Sequence, residues 1–207
     1  GIFALTMAWL AGYVRPERRR SRPVRAATTL ILVAGTFELV WIVWQGANGR
    51  ESHFNFDMPF YELMFNLMGL FAVLLLGSAL PLAWEIARRP ASGLTRDFVA
   101  AVVSGLVLAF ALGGYFGFAI AANGGHAVGP EAGGLPPFGW NRAGGDLRIA
   151  HFLGIHAMQA VPILAALAVA HAARLRWLAV VGGTLLYVAL TFALYAQAAA
   201  GRALWPL

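Results

Sequence analysis

The chain has no cysteine and no lysine, and charged residues make up only 12% of its 207 positions. Without cysteine there is neither a disulfide framework nor a thiolate metal site, and cysteine usage says nothing about redox compartment. So few charges could not clothe a water-soluble domain of this length, whereas 60% hydrophobic residues suit a chain solvated by lipid. Internal repeats of roughly 20 to 50 residues are missing, as is any second, soluble domain. One single integral membrane domain over 1–207 is the simple reading.

A hydrocarbon core of about 30 Å takes roughly 20 helical residues to cross. Five stretches meet that length: 26–46, 58–84, 98–122, 149–173 and 177–200. The opening stretch 1–14 is apolar but too short to span, and reads as the tail of a helix whose beginning precedes Gly1; a signal-peptide remnant is the alternative, although no small-residue cleavage pattern follows. The expected fold class is therefore all-α, a polytopic transmembrane helix bundle with five complete spans plus a truncated N-terminal helix.

Arginine is the only basic side chain, and its distribution predicts orientation, because positively charged connections stay cytoplasmic. The first connection carries Arg15, Arg18, Arg19, Arg20, Arg22 and Arg25, the third Arg88, Arg89 and Arg96, and the last Arg174 and Arg176. Only Arg50, Arg142, Arg148 and Arg202 fall on the other side. The net charge of +6 thus reads as a topology signal and an attraction to anionic lipid, with no reason to invoke nucleic acid. Localisation in a bacterial cytoplasmic membrane follows. Trp41, Trp44 and Trp205 then fit an outer aromatic belt, and Trp84 and Trp177 an inner one.

The longest connection, 123–148, is rich in glycine and proline and too long for a bare helix connector. Since it holds His126, Glu131, Trp140, Asn141 and Asp146, an ordered cap over the outer mouth is expected. Depth along the helices points to the same side. At a rise of about 1.5 Å per residue, Glu38 and Asn66 lie roughly 12 Å below the outer ends of their helices, His156 about 10 Å and Gln159 about 15 Å. Glu62, Thr191, Tyr195 and Gln197 also fall in the outer half, while the inner half offers little beyond Ser78 and Ser104. A polar cavity open to the outside and closed below by apolar packing is the implied shape.

Spacing adds detail. Glu62 and Asn66 are four apart and His156 and Gln159 three apart, so each pair shares a helix face. Pro162 leaves the Met158 carbonyl without its usual amide and predicts a bend. Gly113 and Gly117 form a small-residue face for close helix packing. Asp146 precedes a helix and suits capping as well as chemistry, while Asp57, just before Met58 and Pro59, suits capping better than chemistry. His171, beside Arg174, reads as interfacial. His53, His126, His151 and His156 come from three segments near one face, and ionisable groups in or beside a bilayer usually mark a working site. His151 and His156 are about 140° apart around a helix of period 3.6, so they need not share an ion.

Three runs carry a resemblance: Ser52-His53-Phe54-Asn55, Gly125-His126-Ala127-Val128-Gly129, and the stretch from Gly145-Asp146-Leu147-Arg148 through His151, Gly154, His156 and Gln159 to Pro162. Together they resemble a family of uncharacterised bacterial polytopic membrane proteins with SHFN, GHxxG and GDLRxxHFxGxHxxQxxP motifs. The resemblance spans roughly half the chain and implies no particular activity, only that these polar positions act together.

Four functions compete. The four histidines could ligate Zn, Fe or Cu, with Glu62 or Asp146 as catalytic base and Glu38, Asn66, Arg148 and Gln159 lining a cavity that admits a lipid or other hydrophobic substrate. No histidine pair four apart beside a Glu is present, which argues against a zinc-protease site. The same histidines could hold haem or a related pigment in an electron-transfer subunit. Glu38, Glu62, Asn66 and Gln159 could line a transporter path, against which stand the apolar inner half and the missing inverted repeat. Finally, the polar groups could merely join helices in an accessory subunit of a membrane complex. Membrane lipid is the partner common to all four.

Overall fold

In the computed structural model, which describes residues 1–171 and 175–205 with the side chains of 168–171 left aside, the expected spans are helices. The order is α1 (Ile2–Leu10), α2 (Arg22–Ala47), α3 (Pro59–Gly77), α4 (Ala79–Arg88), α5 (Arg96–Ala122), α6 (Arg148–His171) and α7 (Arg176–Ala199). Four two-residue strands interrupt the helices only between α5 and α6, so the all-α class holds. Among the described residues five stretches are long and apolar enough to cross a membrane: α2, α3 with α4 as one run over Pro59–Arg88, α5, α6 as Arg148–Leu167, and α7. The chain is a multi-pass membrane protein.

Local chemistry accounts for several boundaries. Proline stands in the first turn of α2 and of α3, where its fixed φ suits a helix start and its missing N–H costs nothing. Pro81 has no amide to offer the Gly77 carbonyl, and the run from α3 to α4 steps at Ser78, whose hydroxyl donates to the Leu75 carbonyl at 2.5 Å. Asp57 does not cap α3. Met58 holds the N-cap position with no side-chain bond, and the Asp57 amide instead donates to Asn55 Oδ1 at 3.2 Å.

The chain divides into two compact units, Gly1–Leu94 and Thr95–Leu207. In the first, the N-terminal residues bind the end of α4. The Arg15 amide donates to the Arg89 carbonyl, the Ala91 amide to the Tyr13 carbonyl, and Arg18 Nε lies 2.7 Å from Glu85 Oε1. Glu85 is 2% exposed, so this arginine supplies the charge that its burial requires. At the other end of α2, Trp41 Nε1 donates to the Ser52 carbonyl and Gln45 Nε2 to the Glu51 carbonyl, pinning the α2–α3 loop. Trp41 is therefore a packed residue at 9% exposure, in a cluster with Tyr61 and Met68. Trp44, Trp84, Trp177 and Trp205 are exposed.

The second unit is built on the contact between α5 and α6. Lipid tails are as apolar as leucine, so such helices associate through close packing rather than through a gain in hydrophobic burial. Glycines permit that approach. A Cβ at Gly105 would lie 2.8 Å from the Ala157 carbonyl oxygen, one at Gly154 would lie 2.9 Å from the Gly113 amide nitrogen, and one at Gly117 would lie 3.1 Å from the His151 ring. Helix α6 continues through Pro162, whose ring is buried in this contact. Helix α7 closes the unit: Tyr187 donates its hydroxyl to the Leu153 carbonyl at 2.6 Å, and Val180 and Tyr187 pack with Ala101, Ala157, Val161 and Ala165.

Candidate functional site

The loop between α5 and α6 is fastened by backbone space and by one buried acid. Strand β1 (Ala127–Val128) pairs with β4 (Gly145–Asp146), and β2 (Gly134–Leu135) with β3 (Trp140–Asn141), both antiparallel. Gly144 and Gly145 occupy places no side chain could share: a Cβ on Gly144 would lie 2.5 Å from the Pro130 oxygen, and one on Gly145 only 1.8 Å from the Ala198 oxygen. The loop thus sits directly on the end of α7. The Leu147 amide extends this pairing by donating to the His126 carbonyl at 2.9 Å, which closes the loop where α6 begins.

Asn141, 3% exposed, ties the loop together. Its Oδ1 accepts from the amides of Ala132 and Ala143, each at 3.1 Å, and its Nδ2 donates to the Pro130 carbonyl at 2.9 Å. Its own amide donates to Asp146 Oδ2 at 2.9 Å. Asp146 is 1% exposed and also accepts from the Arg148 amide at 3.0 Å and from the Arg148 guanidinium at 2.6 Å. Arg148 in turn donates to the carbonyl of Gly139, a residue held at φ 66. Burial alone would raise the Asp146 pKa, but the hydrogen bond and charge of Arg148 and the amides of Asn141 and Arg148 hold it below the usual carboxylate range. Asp146 therefore caps the start of α6 and anchors the loop, with its oxygens already occupied.

The expected histidine cluster finds no support in the geometry. Among the described residues no three His, Asp or Glu side chains gather in a way that could hold a metal ion. Each histidine has its own neighbour. His53 Nδ1 meets Ser52 Oγ at 2.9 Å, and His126 Nε2 lies 3.2 Å from Glu131 Oε1 on the loop surface. His151 Nδ1 pairs with the Gly113 carbonyl at 3.0 Å and serves as a strut between α5 and α6. His156 packs on Phe152 at 4.2 Å between ring centroids, and Phe152 lies under Phe138 and Trp140 of the loop. His151 is thus taken up in the α5–α6 contact and His156 in packing against Phe152. His171 is helical in backbone, but its side chain and Arg174 lie outside the described residues.

The other candidate residues are placed as follows. Glu62 and Asn66 are exposed on α3, and the Asn66 amide donates back to the Glu62 carbonyl at 3.0 Å; Glu38 is half-buried on α2. Gln159 is half-buried on α6. A different set of residues lines the space beside the loop. Arg142, Ala143, Ala193, Ala196, Gln197, Arg202 and Ala203 surround an open cavity of about 690 Å³ at the loop end of α7. The alanines at 193 and 196 leave room on that face of the helix. The Gln197 side chain donates to the Ala203 carbonyl at 2.8 Å, and the Arg202 amide to the Gln197 carbonyl at 3.2 Å, so the chain turns back and lays Arg202 at the rim. The Arg142 backbone is tied to the Ala132 carbonyl, while its Nε is buried with no hydrogen-bond partner among the described residues.

These features define a multi-pass helical membrane protein with a fastened loop and a basic cavity beside it. No protein-family model, no curated protein and no solved structure matches the chain.

Proposed function

We propose that the chain is a protein of a bacterial cytoplasmic membrane that binds a lipid or similar amphiphile at its extracytoplasmic face, in the cavity at the loop end of α7. Arginine distribution supports the orientation: the segments around Arg15 to Arg25, Arg88 to Arg96 and Arg176 stay inside, and the α5–α6 loop faces out. The single observation that carries the ligand class is the cavity itself. Its volume is in the range of small-molecule sites, and it opens on Ala193 and Ala196, which face outward from a lipid-crossing helix. The loop serves as a fixed wall. Binding is favoured over catalysis because Asp146, the acid closest in sequence to the cavity loop, has its oxygens committed to Asn141 and Arg148.

Ala196→Trp tests this reading by filling the cavity from a position already exposed on α7. Protein extracted in mild detergent is expected to carry lipid adducts in native mass spectrometry, and the tryptophan variant to lose the most tightly held one while keeping its melting temperature. Equal adducts in both proteins would contradict lipid binding at this cavity.

A further inference from the structure

We infer that the cavity selects its amphiphile by charge, with Arg142 and Arg202 holding the phosphate of an anionic phospholipid headgroup while the acyl chains lie along α7. This rests on the lipid-binding reading and adds the chemical class of the ligand.

Charge is the first support. Among the described residues neither Arg142 nor Arg202, both of which line the cavity, pairs with a carboxylate, whereas Arg18 and Arg148 do. Arginines on the translocated side run against the charge bias that orients helices, and two of them lining one cavity without an acidic partner give it a positive field that attracts an anion. Guanidinium groups meet phosphate oxygens through two parallel N–H bonds, which suits a headgroup that must be fixed at one depth. The nearby C-terminal carbonyls of α7 carry about half a negative charge, which steadies Arg202 and does not cancel two full positive charges.

The helix face supplies the second support and separates a lipid from a free anion. Leu186, Leu190, Ala193 and Gln197 follow one another at spacings of four, three and four residues, so they form one stripe down α7 from the cavity. Leu186 is 70% exposed and Leu190 50% exposed, leaving an apolar track directly below the basic pair. A soluble phosphate would use the arginines and ignore the track. A diacyl phospholipid uses both.

The test is a native mass spectrometry titration of the detergent-solubilised full chain with phosphatidylglycerol and, separately, phosphatidylcholine, each repeated with inorganic phosphate in excess. Phosphatidylglycerol is expected to bind the wild type about tenfold more tightly than phosphatidylcholine, the scale of one charge-assisted interaction. Arg142→Gln and Arg202→Gln are each expected to remove most of that preference, Arg142→Lys to keep part of it, and all three to melt as the wild type does. If both lipids bind alike and the glutamine variants change nothing while Ala196→Trp abolishes adducts, charge selection is wrong and lipid binding stands. If Ala196→Trp also changes nothing, the lipid-binding reading fails with it. Displacement of phosphatidylglycerol by millimolar inorganic phosphate would show a free-anion site and overturn the lipid as ligand.

Discussion

Gly145→Ala is expected to unseat the α5–α6 loop from the end of α7. The added Cβ would lie 1.8 Å from the Ala198 oxygen, 2.6 Å from its carbonyl carbon and 2.9 Å from its Cα. All three are backbone atoms in the last turn of a helix, so no rotamer change relieves the clash, and either the loop or the helix end must move. Overpacking of this kind typically costs about 1 to 3 kcal/mol, and a contact this short against backbone belongs at or above the upper end. Because Ala143 and Ala203 line the cavity from either side of this contact, the cavity proposed to hold lipid should open as well. The readouts are a lower melting temperature in detergent, new protease cleavage within 123–148, and loss of the retained lipid. A variant that melts like the wild type with its loop still protected would show that the loop does not rest on α7.

Asp146→Ala should be nearly as damaging, through electrostatics. It strips the buried Asn141 amide and the first amide of α6 of their acceptor and leaves Arg148 without its counter-charge. Removing one member of a buried pair costs about 3 to 5 kcal/mol, and the 37% exposure of the Arg148 side chain lowers the expectation to about 2 to 3 kcal/mol. Asp146→Asn keeps the shape and one acceptor and should lose less. The pH dependence has a definite sign. The folded Asp146 pKa lies below that of the released loop, so its stabilisation is fully present above the ordinary carboxylate range and fades as pH falls through the folded value. Loop protection from protease should therefore drop in strong acid in the wild type and show no such step in Asp146→Ala. A wild type whose loop protection is flat from neutral to strongly acid pH would contradict the assignment.

The spans could be read from sequence because lipid imposes long apolar runs, and the expected ends of the third and fifth fall within two residues of α5 and α7. Gly113 and Gly117 could be read as a packing face for the same reason: close backbone approach in lipid needs small residues. The site was harder. The histidines stand out in a hydrophobic chain, yet a rare residue can be absorbed by one backbone carbonyl, as His151 is by that of Gly113, and sequence does not distinguish this from ligation. Glu85 lies one residue beyond the apolar run that ends at Trp84, and an acid there, with an arginine-rich connection in the same chain, is the sequence signal of the pair it makes with Arg18. In the sequence Arg142 and Arg202 stand out only as exceptions to the charge bias. Their convergence depends on a fold-back after α7 that places residues sixty positions apart around one cavity, and no local spacing encodes it.

Electron cryomicroscopy of the chain in phosphatidylglycerol nanodiscs puts the lipid site to its most direct test. Headgroup density is expected between the guanidinium groups of Arg142 and Arg202, continuous with acyl density running past Leu190 and Leu186 on α7. A cavity holding only solvent, with ordered lipid lying elsewhere on the protein, would contradict it.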